Sequence, residues 1–403
     1  LSAIAQRLPR ARRVRTDLFD EIERRLARTP IELGQPFAIT LPGGESRRFG
    51  AGALAFTIVV CDEVGVDALA SFDDLAVAEA YMNAHFDVEG SLVEMLRYRP
   101  LLSDRRPVRY LWETYGRPLT VGQVAADKKT IAGHYDLPAE FFELWLDRAV
   151  RGYSHGFFAS EDEALETAME RKFQFAFDAC RLRAGERVLD IGGGWGSFVE
   201  FAGKRGVHVT TLTISKASAA YMRDLVRRQS LSAEIIQEHF LAYQPRKRFD
   251  AIVNLGVSEH LPDYRGTLRN YQRLLEPGRR VYLDAYTGPR HNMSSFVTKW
   301  VYEGNTSPLC LAQYFAALEG TDLEVKLMED DRRNYELTCR KWAENLEAVA
   351  PQIRARWGEL LLRRFRLYLR GCERAFADGT LGAQHLVLEH VPGLRTARKL
   401  FAF

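Results

Sequence analysis

The chain has 403 residues, 46% of them hydrophobic and 27% charged, which excludes a disordered or fibrous protein and suits one large globular domain with room for a smaller one. A net charge of +3 gives no footing for a nucleic-acid partner, so basic residues matter only where they cluster, near Arg10, Arg12, Arg13 and Arg15 and across Arg354 to Arg374. Cys61, Cys180, Cys310, Cys339 and Cys372 lie too far apart for a zinc site or a disulfide framework, no metal is expected, and no apolar run reaches the roughly 20 residues of a membrane span.

Residues up to about Pro36 read as a basic, partly helical arm. Pro36 to Thr40 and Arg47 to Val60 carry strand-like runs around the turn Pro42-Gly43-Gly44, which predicts a small hairpin. From Ser71 to Leu96 acidic and apolar residues fall at helical spacing, with Ser71 as the N-cap and Asp73 and Asp74 in the first turn. Residues 1–118 are therefore expected to form a small α+β domain.

Beyond Asp136 aromatic residues become dense, at Phe141, Phe142, Trp145, Tyr153, Phe157 and Phe158. Strands and helices then alternate, with strand candidates at Arg187 to Ile191, Val207 to Thr213, Ala233 to Gln237, Phe249 to Leu255 and Arg280 to Tyr286. Leu323 to Met328 and Gln384 to Val391 are expected to complete the sheet, with long helices at Tyr335 to Ala350 and Gln352 to Phe376 before its last strand. The pattern predicts an α/β domain over residues 119–403, a parallel sheet with helices on both faces and a helical insertion over about 290–378.

The most informative segment is Arg187-Val188-Leu189-Asp190-Ile191-Gly192-Gly193-Gly194-Trp195-Gly196, an apolar strand with an acid near its end, followed by a glycine loop that opens a helix. Glycines there let backbone approach a ligand at the carboxyl end of a strand. A dinucleotide and S-adenosylmethionine both fit such a loop, and an acid placed before the glycines favours the methyl donor. Glu186 to Gly192 resembles the first motif of class I methyltransferases, which implies their fold, a Rossmann-like, mixed seven-stranded sheet with helices on both faces.

A narrower resemblance rests on ordered motifs: His134-Tyr135-Asp136-Leu137, Tyr153-Ser154, the glycine loop, Thr213-Ile214-Ser215 and Glu259-His260. In order and spacing they resemble cyclopropane fatty acid synthases from about Ile131 to Val391, and Ala78-Glu79-Ala80-Tyr81-Met82 resembles the small N-terminal domain of bacterial members. The resemblance implies S-adenosylmethionine held by Tyr153, Ser154, Asp190, Gly192, Gly193, Gly194, Trp195, Gly196 and Thr213, with Glu238 and His239 facing the adenine. Ser218 stands where the family often has a ribose-binding glutamine.

Family members methylate double bonds of acyl chains through a carbocation, which needs an apolar, aromatic-lined pocket. Candidates for its lining are Phe157, Phe158, Tyr286, Phe296, Trp300 and Tyr302, some of which ordinary core packing would equally explain. A base must then remove a proton, and the resemblance implies a bicarbonate gripped by cysteine, glutamate, histidine and tyrosine. Glu259 and Tyr335 match the glutamate and tyrosine, His260 follows Glu259, but His155 replaces the cysteine and Asp284 falls on the histidine. A carboxylate there disfavours bicarbonate, and His155 with Glu259 and Asp284 would supply an imidazole base.

The expected reaction is methylation of the cis double bond of unsaturated phospholipid acyl chains, leaning to a methyl-branched unsaturated product. A true cyclopropane synthase and a methyltransferase for a soluble small molecule stay open at this level. The expected setting is cytoplasmic and peripheral, on the anionic inner face of a membrane, with Leu360 to Arg370 as a basic amphipathic docking helix or a solvated helix face. The small domain is associated with dimerisation in this family, so a homodimer is expected.

Overall fold

The computed structural model describes residues 8–29, 34–104, 137–147, 149, 151–289, 294–302 and 307–400. His134, Tyr135 and Asp136 lie outside the described residues. The chain divides into two compact units, and the first takes two later segments, Ser294–Trp300 and Ala350–Arg374, besides the N-terminal region.

In the first unit the strands Phe37–Thr40 (β1), Ser46–Phe49 (β2), Phe56–Val60 (β3) and Phe86–Gly90 (β4) form a sheet of order β2-β1-β3-β4. β1 and β2 make the expected antiparallel hairpin, whereas β3 pairs parallel to β1. The run from Arg47 to Val60 is thus two strands, divided where Gly50 and Gly52 take positive φ. The helical reading of Ser71 to Leu96 is also corrected. Helices Glu63–Ser71 and Asp74–Met82 are followed by β4 and a short helix, Leu92–Leu96. Asp73, not Ser71, caps the second helix by accepting from Ala76 N at 2.9 Å, and the Ser71 hydroxyl donates to Ala68 O inside the first.

The basic segment Leu360 to Arg370 lies in the helix Glu359–Ala377, and Leu361, Leu362, Phe365, Leu367 and Leu369 are buried. Arg363 is itself buried and donates to Tyr81 O, Phe86 O and Asp87 Oδ2. The apolar side of this helix therefore serves packing, which removes the ground for reading it as a free membrane-docking face. The expected helix from Gln352 is also broken, because Gly358 at φ 89 separates Ala350–Trp357 from Glu359–Ala377.

The second unit holds a seven-stranded sheet of order β10-β11-β9-β8-β5-β6-β7. Its strands are Arg187–Ile191 (β5), His208–Thr213 (β6), Ala233–Gln237 (β7), Phe249–Leu255 (β8), Leu275–Thr287 (β9), Leu323–Asp330 (β10) and Gly382–His390 (β11). β11 runs antiparallel to both its neighbours and the other pairs are parallel, so the expected mixed sheet is present. Val188, Leu189, Asp190 and Ile191 are all buried, as a central parallel strand covered on both faces requires. One face packs Leu268, Tyr271 and Tyr314 over Leu283 and Leu189, and the other packs Phe173, Ala176 and Phe198 over Tyr282 and Val188. Each of the leucine, valine and phenylalanine side chains among them contributes about 1.5–3 kcal/mol by leaving water. The strand order reverses between β5 and β8, and open α/β sheets bind ligands at that point, beyond the carboxyl ends of the strands. Among the described residues no helix is long and apolar enough to cross a membrane.

Candidate active site

β5 delivers the glycine loop to this crevice. Gly192 N and Gly193 N both donate to Leu212 O on β6, which pins the start of the loop. A Cβ on Gly193 would stand 2.2 Å from Thr211 Oγ1, so only glycine fits against that strand. Gly194, at φ 52, has nothing closer than 3.9 Å to such a Cβ, so space for a ligand opens beside it. The Ser218 hydroxyl donates to Gly194 O at 2.6 Å, and Ser215 caps the helix Lys216–Gln229 beneath by accepting from Ser218 N. Ser218 thus braces the loop from behind. Asp190 is buried and accepts from Thr211 Oγ1 at 2.8 Å; burial pushes its carboxyl up to about 7 against that hydrogen bond.

Aromatic rings build the wall of the crevice. Tyr153 packs on Phe142, Trp145 and Trp342 with centroids at 5.5, 5.8 and 5.6 Å, and Trp195 packs on Phe142 and Tyr221. The turn into Tyr153 is held by Asp147, which accepts from Arg151 N and Gly152 N. Thr213 Oγ1 accepts from Ser215 N, so it shapes the turn after β6. After β7 come half-buried Glu238 and buried His239, whose Nδ1 accepts from Leu241 N.

The turn after β8 carries Glu259. Asn254 Oδ1 accepts from Val257 N, and the short helical turn Ser258–His260 buries the Glu259 side chain. Glu259 Oε1 accepts from Tyr286 N at 2.8 Å, and Oε2 has no hydrogen-bond partner among the described residues. Burial pushes its carboxyl up to about 8, although its own and the Tyr286 N–H pull the other way, and the nearby charge of Asp284 adds to the rise. Glu259 is therefore a neutral acid at neutral pH. His260 packs on Tyr302 at 5.6 Å.

Asp284, in the middle of β9, is fully buried, and its carboxylate lies 3.6 Å from the ammonium of Lys172, also fully buried. Lys172 donates as well to the hydroxyl of Ser154. Burial pulls the Lys172 ammonium below its ordinary range, and Asp284 pulls it back up. His155 was expected to pair with Asp284; its structural partner is Asp331, at 3.1 Å from Nε2. The same Asp331 oxygen accepts from His385 Nδ1 at 2.6 Å. Tyr335 lies over His155 with centroids at 4.8 Å and stacks on Phe376 from its other side.

Lys172, Asp331 and His385 were not singled out from the sequence. Lys172 sits in a charged stretch, Glu170-Arg171-Lys172, that reads as solvent-facing, and His385 lies alone in an apolar strand. Of the expected pocket lining, Phe157 packs on His385 and Phe175, Phe158 N donates to Asn334, and Tyr286 and Tyr302 flank Glu259 and His260 as described. Phe296 and Trp300 belong to the first unit, where Trp300 Nε1 donates to Glu79 at 3.0 Å.

Comparison with known proteins agrees with this geometry. The family described as mycolic acid cyclopropane synthetase matches residues 123–386. The chain belongs to this family. It is an S-adenosylmethionine-dependent methyltransferase, and a domain of unknown function, DUF7884, matches residues 31–99. A probable fatty acid methyltransferase of Pseudomonas putida is 30% identical over 275 residues, 65% of this chain and 69% of that one. Sphingolipid C9-methyltransferase B of Emericella nidulans is 24% identical over 331 residues, covering 77% of this chain and 64% of its own length. The structure of mycolic acid cyclopropane synthase CmaA1 complexed with SAH and CTAB superposes with a TM-score of 0.60 at 25% identity, over 65% of this chain and 97% of that one.

Within this family the glycine loop fits the methyl donor, because open space at Gly194 lies beside a pinned backbone and an aromatic wall. The bicarbonate fits poorly. Asp284 acts on Glu259 and brings a second negative group to the place an anion would need, and the ammonium beside it among the described residues, Lys172, is engaged by Asp284 and Ser154.

Proposed function

We propose that this methyltransferase acts on the cis double bond of unsaturated fatty acyl chains of phospholipids and releases a methyl-branched unsaturated chain. The relatives named as fatty acid and sphingolipid methyltransferases support an acyl substrate. The observation that carries the branched product is the buried Lys172–Asp284 pair, which places a carboxylate where an anion would have to sit and so favours a group of the chain itself as the base.

S-adenosylmethionine, when bound along Gly192 to Gly196, would supply an electrophilic methyl group, its S–C bond breaking as the methyl leaves and S-adenosylhomocysteine remaining. The π electrons of the alkene form the new carbon–carbon bond and leave a carbocation on the neighbouring carbon. Glu259 keeps its proton and so offers no carboxylate to trap that cation. The rings of Phe157, Tyr286 and Tyr335 would line the acyl path and exclude water. His155 then takes a proton from an adjacent chain carbon, and the electrons of the broken C–H bond close a new double bond. Docking on an anionic membrane face and pairing into a homodimer belong to the same proposal.

The test is lipid analysis of cells expressing the chain. Phospholipid acyl chains heavier by one methylene, with an olefinic proton signal retained, are expected. Shielded cyclopropane ring protons would overturn the branched product, and purified protein that methylates only soluble acceptors would overturn the lipid substrate.

A further inference from the structure

Asp331 directly follows β10 and His385 sits on the adjacent β11, where Asp331 N donates to Ala383 O at 2.8 Å. Its Oδ2 faces His155 Nε2 at 3.1 Å and His385 Nδ1 at 2.6 Å, while Oδ1 accepts from Asn334 Nδ2 at 3.2 Å. A carboxylate only accepts, so each histidine must turn a protonated nitrogen toward it. For His155 that places the proton on Nε2 and leaves Nδ1 with a bare lone pair. His155 is fully buried and neither ring nitrogen makes a hydrogen bond among the described residues, but Nε2 is the one that the Asp331 carboxylate approaches, as an ion-pair contact at 3.1 Å. An unpaired buried acceptor costs about 1–3 kcal/mol, which a protein retains where a ligand or a reaction uses it.

The backbone around His155 is clamped on both sides. Gly156 N donates to Thr338 Oγ1 and Phe158 N to Asn334 Oδ1, both on the helix Arg332–Ala348, while Phe157 N donates to Ala168 O on the helix Leu165–Ala179. Asn334 thus holds the Asp331 carboxylate and the His155 loop together. Tyr335 packs on the imidazole with ring centroids at 4.8 Å and planes tilted by 34°, and Ser154, the preceding residue, lies against Gly256 just after β8.

We propose that Asp331 and His385 are positioning residues that hold His155 in its Nε2–H tautomer, so that Nδ1 is the base that receives the substrate proton. This rests on the C-methylation reading. The C–H bond breaks, its electron pair becomes the π bond, and the proton forms a new N–H at Nδ1. The resulting imidazolium faces the Asp331 carboxylate, which stabilises it at the moment the charge appears. Burial raises the Asp331 carboxyl, but the two histidines outweigh it and hold the group well below the ordinary carboxylate range. The other charged groups facing the cluster are Lys172 from the helix, Asp284 opposite His385 on β9, and Glu329 at 3.7 Å from His385 Nε2.

The experiment is nitrogen NMR of the full chain labelled with [15N]histidine, its nine histidines sorted with His155→Gln and His385→Gln. The expected result is His155 with a protonated Nε2 and an unprotonated Nδ1, and an Asp331→Asn variant in which that preference is lost. Steady-state methylation by Asp331→Asn should fall about 100-fold or more while its affinity for S-adenosylmethionine stays within about two-fold. A His155 carrying its proton on Nδ1 overturns the proposal, as does an Asp331→Asn variant with an unchanged tautomer or a rate within two-fold of the parent. The tautomer is read in the resting protein, so a chain that methylates no lipid would overturn the acyl-chain reading and leave the tautomer result standing.

Discussion

Replacing Glu259 by glutamine should stabilise the protein at alkaline pH. The substitution keeps an acceptor for Tyr286 N, as Glu259 Oε1 is now, and removes only the titration. The folded carboxyl holds its proton up to about 8, whereas the ordinary value is 4.5, so between those limits the folded chain binds more protons than the unfolded one. Stability is therefore full below 4.5 and is lost progressively as pH rises through about 8. Over that window of about 3.5 pH units the loss reaches about 5 kcal/mol at most, at about 1.4 kcal/mol per unit. Relaxation and water entry reduce this to a few kcal/mol, which is about 5–15 °C in Tm at 2–4 °C per kcal/mol. The assay is thermal unfolding of parent and Glu259→Gln at pH 5, 7 and 9. The variant should gain on the parent steadily with pH, and a Tm difference that does not change across the series would refute a buried, protonated Glu259.

Lys172→Met should cost about 3–5 kcal/mol, because it leaves the Asp284 carboxylate buried without a counter-ion, and Lys172→Met with Asp284→Leu should recover most of that loss. Denaturation of the two variants checks this, and losses that simply add would show that the groups are not coupled. Ser218→Ala removes the donor to Gly194 O and should weaken S-adenosylmethionine binding by about three- to ten-fold in calorimetry, an effect of about 1 kcal/mol; an unchanged affinity would show that the loop does not need this brace. Gly193→Ala would force a Cβ against Thr211 Oγ1 and Met222 Sδ, at 2.2 and 2.8 Å, so cofactor affinity should fall more than about ten-fold. Parent-like binding by that variant would mean that the β5 loop shifts freely.

The cofactor crevice was legible because its determinants are local. An apolar run, an acid and four glycines within ten residues define a strand, a tight turn and a helix start by their own backbone preferences. Glu259 and Tyr335 were named through the motifs around them, and the structure shows Glu259 buried and Tyr335 packed on His155. The helical reading of Ser71 to Leu96 failed because short elements share one composition there, and β4 is a strand only through its pairing with β3. Phe296 and Trp300 were named for their aromatic rings, and that they group with the first unit could not be read from the sequence.

The partners of His155 and Asp284 could not be read at all. The charged residues around His155 and Asp284 come from a loop for His155, a helix for Lys172, the residue after β10 for Asp331 and β11 for His385, and residues so distant in sequence meet only when the sheet is assembled. What the sequence alone determined about this protein is the class of its cofactor, the family it resembles and the place of the glycine loop, because these depend on neighbouring residues. Tertiary structure alone decided which acid faces which base, because burial and charge pairing arise from side chains that the fold, not the chain order, brings within 4 Å of one another.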